Sequence, residues 1–486
     1  MFRDIIIKKY TLGAIRMTQT NATRIEKDTM GEMEVPADAY WGASTQRAVL
    51  NFPISNIRYP SDFISMLGRI KRAAANANQQ LGLLDPEIAK SISAASTEVI
   101  DGHWDNHFVV DLFQTGSGTS TNTNANEVIA KRAREIADGL NIHPNDHVNM
   151  AQSSNDVIPS ATHLTAAKAI KDELIPALEK AQKTLIEKSN EFWEVIKTGR
   201  THLQDATPIR LGQEFQGYAS QIELSIDRIK PHLSALSEIA LGGTAVGTGI
   251  NAHENFARAA CEILSKELSL PVKETAHHFQ AQGTQDAMVS ASGAVRSIAI
   301  ALQKIANDLR WLSSGPRAGL AELELPTVQP GSSIMPGKVN PVIPESVVQV
   351  VCQVLGNDAA ISAASQGGYL ELNTYWPVSA YNLHQSITLL ASATSNFDIQ
   401  CLQGIKATAK GPDMVEQGLM MATGLTPAIG YDQATTIAKT AAAEGKTIRE
   451  VARRETDLTD DQISDLLNPS RMTAPGIVEG ASGGGG

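Results

Sequence analysis

The sequence predicts an all-α protein built around a long, elongated helical bundle. Three observations carry this. Apolar residues recur at steps of three and four over five long stretches, the signature of a buried stripe along a helix. Aromatics make up only 5% of the chain while Ala, Ile, Leu and Val are plentiful, which suits close helix packing rather than an aromatic-rich β sandwich. Strand signals are sparse, and no sequence repeat is found.

Residues 24–60 read as irregular, punctuated by Gly31, Pro36, Gly42 and Pro53. Helical patterns follow from Ile64 to about Leu81 and from Pro86 to about Ile100, the second behind the cap residue Asp85. A small-residue polar loop, Gln114 to Asn122, precedes a helix-like stretch from Ala125 to Ala137. The first long rod carries Leu164, Ala167, Ile170, Leu174, Leu178, Ala181 and Leu185. The second runs from Leu211 to Ile239, with a kink expected at Pro231. The third carries Val295 to Leu312; the fourth spans Glu345 to about Ala364, and the fifth about Val378 to Leu402. Rods of ~25–30 residues are ~40–45 Å long at 1.5 Å per residue. Shorter helices at Asp432–Ala443, Thr447–Glu455 and Asp460–Leu467 close the chain. The expected domains are an extension (1–23), a mainly helical N-terminal domain (24–151), the long-helix bundle (152–410), a small helical C-terminal domain (411–475) and a tail (476–486).

At 486 residues, two or three domains are the default. The net charge of −11 argues against a general nucleic-acid or anionic-membrane surface. No apolar run approaches the ~18 residues that span a bilayer. The cysteines Cys261, Cys352 and Cys401 are scattered, with no zinc or C-x-x-C spacing, and read as free thiols in a reducing compartment. A cytoplasmic location is expected; the alternative is the mitochondrial matrix, should residues 1–16 be a transit peptide.

Four polar segments hold the candidate chemistry: 117–122, 152–156, 200–205 and 331–341. The last, Gly331-Ser332-Ser333-Ile334-Met335-Pro336-Gly337-Lys338-Val339-Asn340-Pro341, combines two hydroxyls, an ammonium and an amide with turn-forming Gly and Pro. It is no Walker loop, which needs four residues between its glycines and Ser or Thr after Lys. The glycine-rich run Gly242 to Gly249 follows no convincing strand, so a Rossmann fingerprint is not expected. His277-His278 has no metal-ligand spacing. Segment 199–205 supplies the one loop histidine, His202, beside a hydroxyl and a carboxylate.

Gly331 to Pro341 resembles the signature of the fumarase/aspartase superfamily. Ser153–Asp156, Gly199–Asp205 and Thr115–Thr121 resemble its other shared regions, in the same order. Within it the chain is similar to the class II fumarases, on Gly337-Lys338-Val339 and Trp41 to Ala48. The segment Pro341 to Glu345 is shared with aspartases, which makes aspartate ammonia-lyase the nearest alternative. A non-catalytic helical scaffold is the alternative of another class. The resemblance implies a three-domain fold whose five-helix bundles merge into a twenty-helix tetramer core, with each site drawn from three subunits. It also implies a small dicarboxylate as substrate, no metal and no cofactor, no nucleic acid and no membrane. By the family pattern Ser332 is the base, and His202 the second acid/base with Glu345 as its partner. Ser117, Gly118, Thr119, Ser153, Ser154, Asn155, Thr201, Ser333, Lys338, Val339 and Asn340 would bind substrate. His143, Pro144, Asn145 and Asp146 resemble an accessory dicarboxylate site.

Overall fold

A computed structural model describes residues 22–476. Their contacts separate into two units, each assembled from three chain segments. The first holds 22–176, 227–297 and 352–390; the second holds 177–226, 298–351 and 391–476.

The five rods are present. The first comprises the helix Ser154–Ala169, a π-helical turn Ile170–Leu174, and the helix Ile175–Glu191. The others are Leu211–Leu236, Asp286–Leu312, Val342–Ser365 and Trp376–Gln400. The second rod continues as one helix through Pro231. One helix bears on the expectation about apolar runs. Val342–Ser365 is by length and composition apolar enough to cross a membrane. It is interrupted by Glu345, Gln349, Gln353, Asn357 and Asp358, so no unbroken run exists; Asp358 is paired with Ser292 and Arg296.

In the first unit, Thr23–Asp28 pairs antiparallel with Gly31–Pro36 around a turn at Gly31 (φ 114°), and a helix follows at Ala43–Asn51. The expectation that 24–60 is irregular is corrected here. The strands TRIEKD and GEMEVP lack β-branched and aromatic enrichment, because the hairpin is largely solvent-facing. Arg24 holds it from inside the next loop, donating to the carbonyls of Pro36, Ala39 and Trp41. The helices Ser61–Gln80 and Pro86–Ile100 pack through small residues. Gly68 lets them close: a Cβ there would meet the Ser96 carbonyl at 3.1 Å. Asp85 caps the second, as its sequence position predicts, accepting from Glu87 and Ile88 N–H.

In the second unit, Ile196–Thr201 and Gln204–Arg210 form a hairpin that the sequence did not reveal, with a bulge between Thr198 and Arg200. Pro208 sits in its second strand, and proline is normally confined to edge strands because it has no N–H for the ladder. The C-terminal helices Tyr431–Glu444, Ile448–Glu455 and Asp460–Leu466 pack around Leu425, Ile437, Ile448, Val451 and Ile463, all buried.

Candidate functional site

The first unit brings two helix N-termini together. Thr119 opens the helix Thr119–Ile136, and Ser154 opens Ser154–Ala169. Their hydroxyls lie 2.6 Å apart, and Ser117 Oγ is 2.7 Å from Thr119 Oγ1. The positive ends of the helix dipoles at two adjacent termini favour an anion there. Gly118 makes the approach possible with φ 72°, where a Cβ would meet the Ile158 side chain at 2.9 Å. Ser153 caps the second helix in a capping box with Asp156, and Asn155 Nδ2 donates to the Ala245 carbonyl.

In the second unit, Ser332 Oγ accepts from the backbone N–H groups of Ile334 (3.3 Å) and Met335 (2.8 Å). Such donors favour the alkoxide over the neutral hydroxyl. Asn340 Nδ2 donates to the Gly331 carbonyl, closing the loop on itself, and Lys338 Nζ donates to Asn340 Oδ1 at 2.7 Å. Gly331 has no room for a side chain, since a Cβ would lie 2.2 Å from the Lys338 carbonyl. Lys338, Val339, Asn340 and Glu345 line a cavity of about 460 Å³ together with Asn307, Arg310 and Trp311. Ser333 is exposed beside Ser332.

Thr201 and His202 sit at the tip of the second unit's hairpin. His202 (φ 55°) and Leu203 (φ 59°) form the two-residue turn between paired Thr201 and Gln204. Among the described residues no hydrogen bond or ion pair joins His202 to Glu345; the tip is exposed, Leu203 by 68%.

His143 precedes the π-helical turn Pro144–Val148, and its Nδ1 accepts from Asn145 and Asp146 N–H. His143 and Pro144 line a cavity of about 150 Å³ rich in cations, among them Arg24, Lys27, Lys131 and Arg134. Asn145 and Asp146 do not line it.

A lyase family profile, described simply as "Lyase", matches residues 31–356, and a second, "Fumarase C C-terminus", matches 421–474. The chain is 52% identical over 463 residues to a class II fumarate hydratase of Halobacterium salinarum, covering 94% of this chain and 98% of that one. It is 50% identical over 465 residues to one from Bradyrhizobium diazoefficiens, with the same coverage. This chain belongs to the class II fumarate hydratase family. Among solved structures it resembles a class II fumarase from Schistosoma mansoni (TM-score 0.91, 38% identity, 93% of this chain and 99% of that one). It also resembles a Brucella melitensis protein titled fumarate lyase:delta crystallin (TM-score 0.89, 45% identity, 93% and 100%).

Sequence reasoning missed part of what supports this candidate site. Beneath the Thr201–His202 hairpin, Lys197 is 1% exposed and ion-paired with Glu322 (3.0 Å) and Glu214 (3.2 Å). Arg200 binds Glu322 through both terminal nitrogens, at 3.1 and 2.6 Å. Burial pushes the Glu214 carboxyl up, and Lys197 opposes it. No local pattern announces partners more than a hundred residues apart.

Proposed function

We propose that this chain catalyses the reversible hydration of fumarate to L-malate. The observation that carries the reading is the Ser332 hydroxyl cradled by two backbone N–H groups within a loop that also presents Lys338 and Asn340. Run as dehydration, Ser332 as alkoxide takes the proton on C3, and the electron pair moves onto the adjoining carboxylate as an aci-carboxylate dianion. Lys338 by charge, and Asn340 and loop N–H groups by hydrogen bonds, stabilise that charge where it develops. The dianion then re-forms its carboxylate, making the double bond and expelling the C2 hydroxyl, which takes a proton from His202 through a water. Glu345 would orient His202 for that transfer. Ser117, Thr119, Ser153, Ser154, Asn155 and Thr201 would hold the substrate's other polar groups, with Ser333 and Val339 closing the pocket.

A homotetramer fits this reading. An exposed hairpin tip carrying His202 suits delivery to another protomer's Glu345. The long helices also leave Leu224, Ile300, Trp311 and Ile399 exposed, apolar surface that association would cover. Light scattering behind gel filtration would test it: a mass near one chain in active protein is incompatible with shared sites.

The function itself is tested by fumarate absorbance. L-malate should generate fumarate and L-aspartate should not; the reverse result would assign an ammonia-lyase.

A further inference from the structure

The Ser153–Asn155 turn stands on two buried ionisable side chains, Asp156 and Lys71, that take no part in the proposed chemistry. Asp156 and Lys71 are both fully buried. Asp156 Oδ1 accepts from Ser153 N–H at 2.9 Å, which is the capping box. Its Oδ2 does something a cap does not require. It accepts from Gly242 N–H (3.1 Å) and Thr244 N–H (2.9 Å), eighty-six and eighty-eight residues along the chain. Those donors begin the glycine-rich run that the sequence presented as a false Rossmann loop. The loop in turn receives Asn155 Nδ2 on the Ala245 carbonyl at 2.8 Å, and Gln282 Nε2 on the Thr244 carbonyl at 2.8 Å. It lies too close to its surroundings for side chains: a Cβ at Gly242 would meet that of Ala257 at 2.5 Å, and one at Gly243 would meet Gln282 Oε1 at 2.3 Å. On the other side, Lys71 Nζ donates to Asn149 Oδ1 (2.8 Å) and Gln152 Oε1 (2.9 Å), bracing the residues that lead into the turn.

We propose that Asp156, with Lys71 as its buried counter-charge, is a positioning residue that latches the 242–249 loop to the Ser153–Asn155 turn and so sets the grip on the substrate carboxylate. The proposal rests on the hydratase reading above. A carboxylate taken wholly out of water is costly unless several donors meet it, so a site that needed only a helix cap would leave it near solvent. Here three N–H groups meet it, and two of them belong to the loop. Burial raises the Asp156 carboxyl to about 6, against the pull of those donors and of Lys71. Burial lowers the Lys71 ammonium to about 7, with Asp156 opposing. Lys71 is a charged side chain whose field favours the ionised Asp156 carboxylate.

The test uses the full chain as Asp156→Asn and Lys71→Met, beside the parent, in steady-state turnover of L-malate across pH. The amide in Asp156→Asn can no longer accept all three N–H bonds, which loosens the loop and the Asn155 amide. We expect KM for L-malate to rise by at least about tenfold with kcat within about threefold, the pattern of a grip shared by ground and transition states. In Lys71→Met the carboxyl keeps its proton to higher pH, so the acidic limb of the KM profile moves upward in pH. A purely structural role would lower the melting temperature and the active fraction while leaving KM and its pH profile at parent values; that result overturns the proposal. Should Asp156→Asn fail to fold, the Lys71→Met profile decides alone. A parent without malate turnover would overturn the hydratase reading and this proposal together, whereas an active parent with unmoved variants overturns this proposal only.

Discussion

Replacing Lys197 by methionine keeps the length of the side chain and removes its charge from the base of the His202 hairpin. Lys197 is 1% exposed and Glu322 3% exposed, so neither charge is screened by solvent. Deleting one partner of a buried ion pair costs about 3–5 kcal/mol, because the other charge stays buried without it. Glu322 keeps the two-pronged contact with Arg200, which favours the lower end of that range. Glu214 loses the one cation ion-paired with it among the described residues. A loss of about 3 kcal/mol lowers the midpoint of a unit of roughly 150–250 residues by about 6–12 °C. The pH dependence has a definite sign. The Glu214 pKa is raised in the folded state, so its contribution to stability is fully present below its unfolded value and is lost as pH rises through the folded one. Without Lys197 the folded value climbs further, and the variant's deficit should be smaller at pH 5 than at pH 8. Thermal unfolding followed by circular dichroism at both pH values measures this. A deficit under about 1 kcal/mol at pH 8, or an equal deficit at both, would refute the reasoning.

Ser332→Ala should reduce turnover of L-malate by at least about a thousandfold, with KM changed little, since the lost group acts on the reacting proton; steady-state assays check it, and unchanged turnover would remove Ser332 as the base. Gly116→Ala should destabilise the first unit by about 3 kcal/mol or more, because a Cβ there would lie 1.8 Å from the Thr374 carbonyl, a backbone atom that cannot step aside; chemical denaturation reads the shift. Cys261 and Cys401 are buried, and burial pushes both thiols up to about 12. Alkylation with iodoacetamide at pH 8 should therefore leave both unmodified in native protein and modify them in denaturant, as peptide mass spectrometry would show.

The long helices were legible because each buries one stripe in a core, and a stripe at steps of three and four leaves its mark on a single stretch of chain. The cap at Asp85 was legible for the same local reason. The two hairpins were not. The Thr23–Pro36 pair is too exposed to require alternating apolar residues, and the Ile196–Arg210 pair carries Gly199 at its bulge and Pro208 in a strand. The candidate site divides along similar lines. The polar segments around Ser117, Ser153, Thr201 and Ser332 stood out as clusters of turn formers with hydroxyls and amides. What joins the Ser117 and Ser153 segments did not stand out, because the contact of Thr119 with Ser154 spans thirty-five residues of chain.

By itself the sequence determined the helical character of the chain, its rods and the cap at Asp85, and it displayed the signature loop from Gly331 to Pro341 that resembles one superfamily. These are properties of neighbouring residues, and local physics writes them into local order. Tertiary structure alone decided that Thr119 and Ser154 meet, that Lys197 is sealed between two glutamates, and that Asp156 turns from its own helix cap to hold a glycine loop. Such contacts depend on which surfaces the packed core brings together, and a buried charge is tolerated only where that packing delivers its partners.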